Sequence, residues 1–350
     1  MRWPAKVRLL PSPRGGKGQK SPKMTYVLAY VIFFAYLCSR KGLLALKQLL
    51  LILVLTGCLV GVQAEDLCVV SYNVENLFHP KHDTVAGIEK DDLEWTPEGE
   101  RRWSYSRYYR KVENIARGLT NIGEWPGVDI VGLQEVENAL CVKRLCTTLR
   151  CGEYDFVHYE SPDRRGIDVA LLYKKARVDT LSTKAIRVSE LMTRDILYVC
   201  ARVDKRDTMH VFVCHLPSQR GGKAESEWKR QAAKQVLQQA VDSVYGTNPN
   251  AKIIVMGDMN SGDLRIRGLE DERMKGEGTH KYQGRWTFLD HFYVSPSIDS
   301  IADARIYDAE WIQETDEKYM GLKPKRTYNG FRYQNGFSDH LPIVLTIKNE

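Results

Sequence analysis

VMGDMN, residues 255–260, is the stretch on which the reading of this chain turns. It closes an apolar run, Ile253–Met256, of strand length, and then offers a glycine and two polar side chains. Side chains alternate along a strand, so Asp258 and Asn260 project to the same side. A carboxylate beside an amide suits the activation of water while a phosphoryl oxygen is held. A lone Gly-Asp-x-Asn is also an ordinary Asx-turn, so its weight rests on what the rest of the chain places next to it.

Six further signatures fall beside apolar runs: SYNVENLF (71–78), GLQEVEN (132–138), RGIDVALLY (165–173), FVCHLPS (212–218), FLDHFYVS (288–295) and FSDHLPI (337–343). A buried sheet carries acids and amides to one rim in this way, where they can converge on a metal ion. Hydrolysis of a phosphate ester needs a hard cation, a base for water and donors for the phosphoryl oxygens. Mg²⁺, with Mn²⁺ as the substitute, takes oxygen ligands. Glu135, after Val131–Leu133, is the candidate for its principal carboxylate. Asn73, ending Val69–Tyr72, is placed to orient that ligand or the water, and Asp339 is a second metal-side carboxylate. His340 and Asp290 supply a histidine and an acid at strand ends, and a paired carboxylate fixes a histidine's tautomer and charge. His215, directly after Val211–Cys214, is a candidate for phosphate contact or leaving-group protonation. Singly, each is more often a structural strand-end residue. His291 is left outside the site.

Strand-like runs cover 67–72, 128–133, 168–173, 197–203, 209–214, 252–256, 288–294 and 343–347. Val112, Ile115, Ala116, Leu119 and Ile122 step by three and four, which predicts a helix over 106–122. Trp228, Ala232, Val236, Leu237, Val241 and Val244 do the same for 224–245. Strands interleaved with long amphipathic helices predict an α/β layered domain, and continuous apolar runs predict sheets buried on both faces. The polar stretches 79–100 and 261–285 read as loops able to set specificity.

Ten of the 51 basic residues fall in residues 1–64, which hold no acid, so the rest carries 41 basic against 44 acidic groups. The formal charge of +7 therefore belongs to the leader, and any nucleic-acid face must be a local patch. Two domains follow: a leader, 1–64, and a catalytic domain, 65–350. Lys47, the apolar Leu49–Leu55 and Val62-Gln63-Ala64 have a signal-peptide layout, with cleavage expected after Ala64. Leu55-Thr56-Gly57-Cys58 offers a lipobox instead, with lipid on Cys58, and 43–64 is long enough to remain as a membrane anchor. Among eight cysteines, Cys141, Cys146 and Cys151 at five-residue spacing make one disulfide expected in an exported chain. No Cys/His grouping has zinc spacing.

Taken in order, the seven signatures resemble the endonuclease/exonuclease/phosphatase superfamily from about Asp66 to Lys348. The resemblance implies a single-domain, four-layer α/β sandwich of two β-sheets flanked by helices, with the site at one rim. It assigns Asn73, Glu135 and Asp339 to the metal. It gives Asp258 and Asn260 water activation and transition-state contact, and it makes Asp290 the orienter of His340. His215 in its CHLPS context resembles the deoxyribonuclease and lipid-phosphodiesterase branches, and Arg165 is implied to line the substrate cleft. LQEVEN, RGIDVALLY and GDMN together look like the bacterial secreted-nuclease-like group. One departure stands out: many deoxyribonucleases carry an arginine two residues after the metal-binding glutamate, where this chain has Glu137. A carboxylate there is expected to repel phosphate unless Arg164, Arg165 or Arg220 compensates.

The expected activity is an exported, monomeric, Mg²⁺-dependent phosphodiesterase on nucleic acid. The same site on a phospholipid, sphingomyelin or inositol phosphate is the alternative, and an inactive binding module the third reading. A lipid enzyme calls for an exposed apolar hairpin near the site, toward which only Trp311-Ile312 points.

Overall fold

Alternation along the strands sorts the core into layers. In chain order the strands of the two main sheets are β1 (Leu67–Leu77), β2 (Ile130–Val136), β3 (Tyr154–His158), β4 (Asp168–Lys174), β5 (Val178–Ile186) and β6 (Ile196–Val203). They continue with β7 (Asp207–His215), β8 (Lys252–Asp258), β9 (Glu270–Asp271), β10 (Asp290–Val294), β11 (Ile301–Ile306) and β12 (Ile343–Ile347). The helices are α1 (Tyr105–Gly123), α2 (Ala139–Thr148) and α3 (Lys223–Thr247). This computed structural model describes residues 65–83, 90–124, 126–219, 221–272 and 274–349, with Leu44, Lys47 and Gln48. The signal segment, the cleavage at Ala64, the lipid site at Cys58 and Arg220 lie outside the described residues. No helix among the described residues is long and apolar enough to cross a membrane.

One sheet runs β11-β12-β1-β2-β4-β3 and the other β5-β6-β7-β8-β10-β9. Val69 and Leu171 from the first meet Val211, Val213, Ile254 and Met256 from the second, filling the space between sheets. The intervening positions face outward onto helices. Val70, Tyr72 and Leu133 pack with Ile115 and Leu119 of α1 and Val142 and Leu145 of α2, while Phe212, Ile253 and Val255 pack with Leu237 and Val241 of α3. Each such buried side chain contributes about 1.5–3 kcal/mol relative to exposure. The result is helix, sheet, sheet, helix, as expected. The sheets touch closely at Gly132, where a Cβ would lie 2.8 Å from the Met256 methyl carbon.

The expected helices are present within two residues at each end. Ser104 caps α1 by accepting from the Arg107 N–H, and Asn138 caps α2 by accepting from the Leu140 and Cys141 N–H groups. Strands β3, β5 and β11 escaped the sequence reading because each lacks an apolar run. β5 lies at a sheet edge, with most of its side chains at least partly exposed. The expected disulfide is absent: all six described cysteines are free. Cys141 and Cys146 are buried in the helix–sheet core, and the Cys151 thiol lies 3.4 Å from the Tyr154 hydroxyl.

Each sheet has one parallel pair at its centre, β1 with β2 and β7 with β8. The C-terminal ends of all four strands therefore reach the same rim. β10 begins there antiparallel to β8, with Asp290 opposite Asp258, and His215 is Asp258's parallel neighbour. Gly257 is required at this junction: its φ is +141°, and a Cβ would lie 1.9 Å from the Cys214 carbonyl oxygen.

Candidate active site

Asp258 is the hub of the rim. Its Oδ1 accepts from the Asn260 backbone N–H (2.8 Å), and its Oδ2 accepts from the Asn73 amide (3.1 Å). Two imidazoles face the same oxygen, His215 Nε2 at 3.6 Å and His340 Nε2 at 3.8 Å. Asp290 Oδ2 lies 2.7 Å from His340 Nδ1, which fixes the ring so that Nε2 points at Asp258. His340 is seated further by its own N–H donating to Ser338 Oγ (3.0 Å), whose hydroxyl donates to the Asn73 carbonyl (2.6 Å). Thus residues from five of the seven signatures meet around one carboxylate.

The charges follow from burial and neighbours. Burial, with Asp290 and Glu135 adding, raises the Asp258 carboxyl to about 7. Burial opposes charge on His340, but Asp290 and Asp258 outweigh it and hold the imidazole well above its usual value. His215 moves the other way, pushed well below by burial and by the Arg194, Arg165 and His340 cations. It is a neutral imidazole, which suits phosphate contact and not the protonation of a leaving group.

Glu135 sits on a bulge. The register of β2 against both β1 and β4 breaks between Gln134 and Val136, and Glu135 has φ +65°. This left-handed conformation in a non-glycine residue is strain held by the surrounding sheet. It turns the carboxylate to the rim, where Oε2 accepts from the Asn76 N–H (2.9 Å) and Oε1 stands 3.9 Å from His215 Nε2. The same bulge corrects the reading of Glu137. That side chain is fully buried, and its Oε2 accepts from the His79 N–H (2.7 Å). Burial raises its carboxyl to about 9. A neutral acid turned inward repels no phosphate.

Asp339 heads a second group that the sequence did not reveal. Although burial opposes it, Arg326, His340, His280 and Lys111 hold its carboxyl at about 2. Arg326 donates to Asp339 (2.7 Å) and to Glu75 (3.3 Å). Glu75 also accepts from the Thr327 N–H (2.6 Å) and lies 3.9 Å from the ammonium of buried Lys111. That ammonium in turn donates to the Phe337 carbonyl (2.7 Å) and to Thr327 Oγ1. His280, opposite His340 in an isolated antiparallel bridge, completes the surroundings of Asp339.

Asn260 has φ +49° and donates its amide to the Leu216 carbonyl (3.0 Å), leaving one amide hydrogen over. Asn73 contacts Asp258, and its Oδ1 accepts from the Glu75 N–H. Arg165 is half-exposed beside Asp163 (3.4 Å). Asp163 also pairs with buried Arg194, which donates to the His215 and Leu216 carbonyls and so fixes the end of β7. Trp311 and Ile312 form no apolar hairpin: Ile312 is buried, and Trp311 packs on Phe337 beneath Arg117.

Among the described residues, ligand atoms of His280, Asp339 and His340, and of Asp258, Asp290 and His340, lie within 4.8 Å of one another. A third such group, His158 with Glu160 and Asp168, shares no residue with them, and the Lys90 ammonium lies on Glu160 (2.6 Å). The oxygen-rich rim of Glu135 and Asp339 suits a hard divalent cation: Glu135 Oε1 makes no hydrogen bond among the described residues, and Asp339 is ionised.

A model of the Endonuclease/Exonuclease/phosphatase family matches residues 68–265 and 268–349. No curated protein matches the chain. Among solved structures, truncated TDP2 from Caenorhabditis elegans superposes with TM-score 0.52 at 19% identity, over 81% of this chain and 98% of its own. An endonuclease/exonuclease/phosphatase family protein from Bacteroides thetaiotaomicron gives 0.52 at 18%, over 81% and 98%. A mannosyl-6-phosphatase of the same organism gives 0.51 at 18%, over 80% and 99%. At these identities the superpositions speak for the fold.

Proposed function

The chain belongs to the endonuclease/exonuclease/phosphatase family, and on that premise we propose that it cleaves phosphodiester bonds of DNA or RNA. As a member it is a metal-dependent phosphoric ester hydrolase; the substrate is the proposal. One observation carries it: the Asp258–His340 cluster is flanked by two basins. One, of about 310 Å³, is lined by Arg165, Arg194 and Lys229 near His215. The other, of about 340 Å³, is lined by Arg326, Lys318 and Asp339. A phosphodiester carries a group on each side of its phosphorus, whereas a monoester needs only one basin.

In this reading Asp258 accepts the proton of the attacking water, and Asn73 and the Asn260 N–H hold it in place. His340, kept charged by Asp290, donates from Nε2 to a phosphoryl oxygen, as does the spare hydrogen of the Asn260 amide. Neutral His215 and Arg165 contact phosphate from the other side. Glu135 and Asp339 would hold Mg²⁺ or Mn²⁺, with Asn73 acting through Asp258. Such an ion, when bound, neutralises phosphoryl charge and acidifies coordinated water. The site is complete within one chain, in keeping with a monomer, and the signal-like layout of 43–64 supports export.

The test is a substrate panel with Mg²⁺ or EDTA: plasmid, single-stranded DNA, RNA, sphingomyelin, inositol phosphates and mannose 6-phosphate. An Asp258→Ala, His340→Ala variant controls for contaminants. Metal-dependent strand cleavage that the variant loses is the expected result. Turnover confined to a lipid or a phosphomonoester would overturn the nucleic-acid reading and leave the hydrolase class standing.

A further inference from the structure

The basin on the Asp339 side has a wall that hydrolysis itself does not require. Two short hairpins build it, one over residues 280–287 and one over 313–324. Lys281 ties them together: its buried ammonium donates to the Met320 (2.7 Å) and Leu322 (3.1 Å) carbonyls and pairs with Asp316 (3.4 Å). The Tyr319 side chain rests on Gly284, where a Cβ would come within 2.9 Å of it. The hairpins are thus fixed to each other, yet they expose aromatic surface. Tyr282 is 65% and Tyr319 41% exposed, and both line the basin. Both rings therefore face solvent along the wall of one basin.

Most cations around those rings are paired with carboxylates, and Lys318 is the exception. Lys281 and Lys323 are neutralised by Asp316 and Glu314. Lys318 lies 5.0 Å from the Tyr319 ring and has no carboxylate partner among the described residues. Arg326, at the inner end, is also partly open to solvent. Planar aromatic platforms beside cations receive unstacked bases and their phosphates, whatever the base. About 340 Å³ lies within the range of small-ligand sites.

We propose that this basin is a nucleotide subsite, in which the base next to the scissile phosphate stacks on Tyr282 or Tyr319 and its outer phosphate meets Lys318. The inference rests on the phosphodiesterase reading and narrows it: the substrate is single-stranded or frayed where it is cut, because a paired base cannot reach the rings.

The experiment compares kcat/KM on a short single-stranded oligonucleotide with that on bis(p-nitrophenyl) phosphate, a diester without bases. It uses the full chain as wild type, Tyr282→Ala/Tyr319→Ala and Tyr282→Phe/Tyr319→Phe. Stacking predicts that the preference for oligonucleotide over small diester falls about tenfold in the alanine variant and is kept in the phenylalanine variant. Wild type is also expected to cut single strands faster than duplex of the same sequence. An unchanged preference in the alanine variant, with wild type cleaving oligonucleotides, overturns the subsite and leaves the nuclease reading intact. A loss shared by the phenylalanine variant also overturns stacking, since only the hydroxyls differ. Wild type that cleaves the small diester and no oligonucleotide overturns both.

Discussion

The two halves of the rim are built in opposite ways. Asp258, His215 and Asp290 stand on adjacent strands of one sheet, and ladder register alone puts them side by side. Asp339, Arg326, Glu75 and Lys111 come instead from two loops, a strand end and a helix, joined by charge. The first half is set by hydrogen bonds of the sheet. The second is set by its charges, so that each depends on the others. Substitutions on the strand half should therefore act on rate with the fold kept, and those at Glu75 and Lys111 on stability, while Asp339, which also faces the metal side, should affect both.

The largest effect belongs to the strand half and to the histidine that faces its Asp258. His340→Asn is expected to lower kcat by about 10²–10³ with the fold intact, since losing one donor to a transition-state oxygen costs about that much. Steady-state hydrolysis together with a thermal melt checks it. A variant that is inactive only because it is unfolded would erase the contrast between the halves. On the charge half, Lys111→Met leaves Glu75 buried without its ammonium partner. Breaking one side of a buried pair costs about 3–5 kcal/mol, read as a lowered midpoint in urea. A stability within about 0.5 kcal/mol of wild type, the error of additive bookkeeping, would mean that Arg326 alone satisfies Glu75.

Glu137 gives the smallest effect and the sharpest sign. Its folded carboxyl titrates at about 9 against an ordinary 4.5. Folding therefore takes up a proton between those values, so stability is fullest below pH 4.5 and is lost as pH rises toward 9. Glu137→Gln removes that dependence. It should match wild type near pH 4.5 and exceed it by about 1–3 kcal/mol at pH 8, with kcat/KM on a diester changed less than twofold. A gain in phosphate affinity would instead put Glu137 back in the cleft.

The same contrast explains what could be read in advance. Asp258, His340, Asp290, Glu135 and His215 each follow or precede an apolar run, so alternation and strand ends gave them away. Glu75 lies inside SYNVENLF, but its partner Arg326 is 251 positions away and has no local pattern to mark it. His280 sat within the polar stretch 261–285, where no periodicity distinguishes one residue from the next. Glu137 was misread because a bulge reverses facing without any sequence mark. Edge strand β5 was missed because burial, the source of the apolar run, is absent there.

The most direct test of the hydrolytic centre is the rate of bis(p-nitrophenyl) phosphate hydrolysis by the full chain and by Asp258→Asn, each with Mg²⁺ and with EDTA. Expected is a rate in wild type that EDTA abolishes, and a fall of about 10²-fold or more in a folded Asp258→Asn. A variant within tenfold of wild type, still quenched by EDTA, would place the base elsewhere on the rim and contradict the assignment of Asp258.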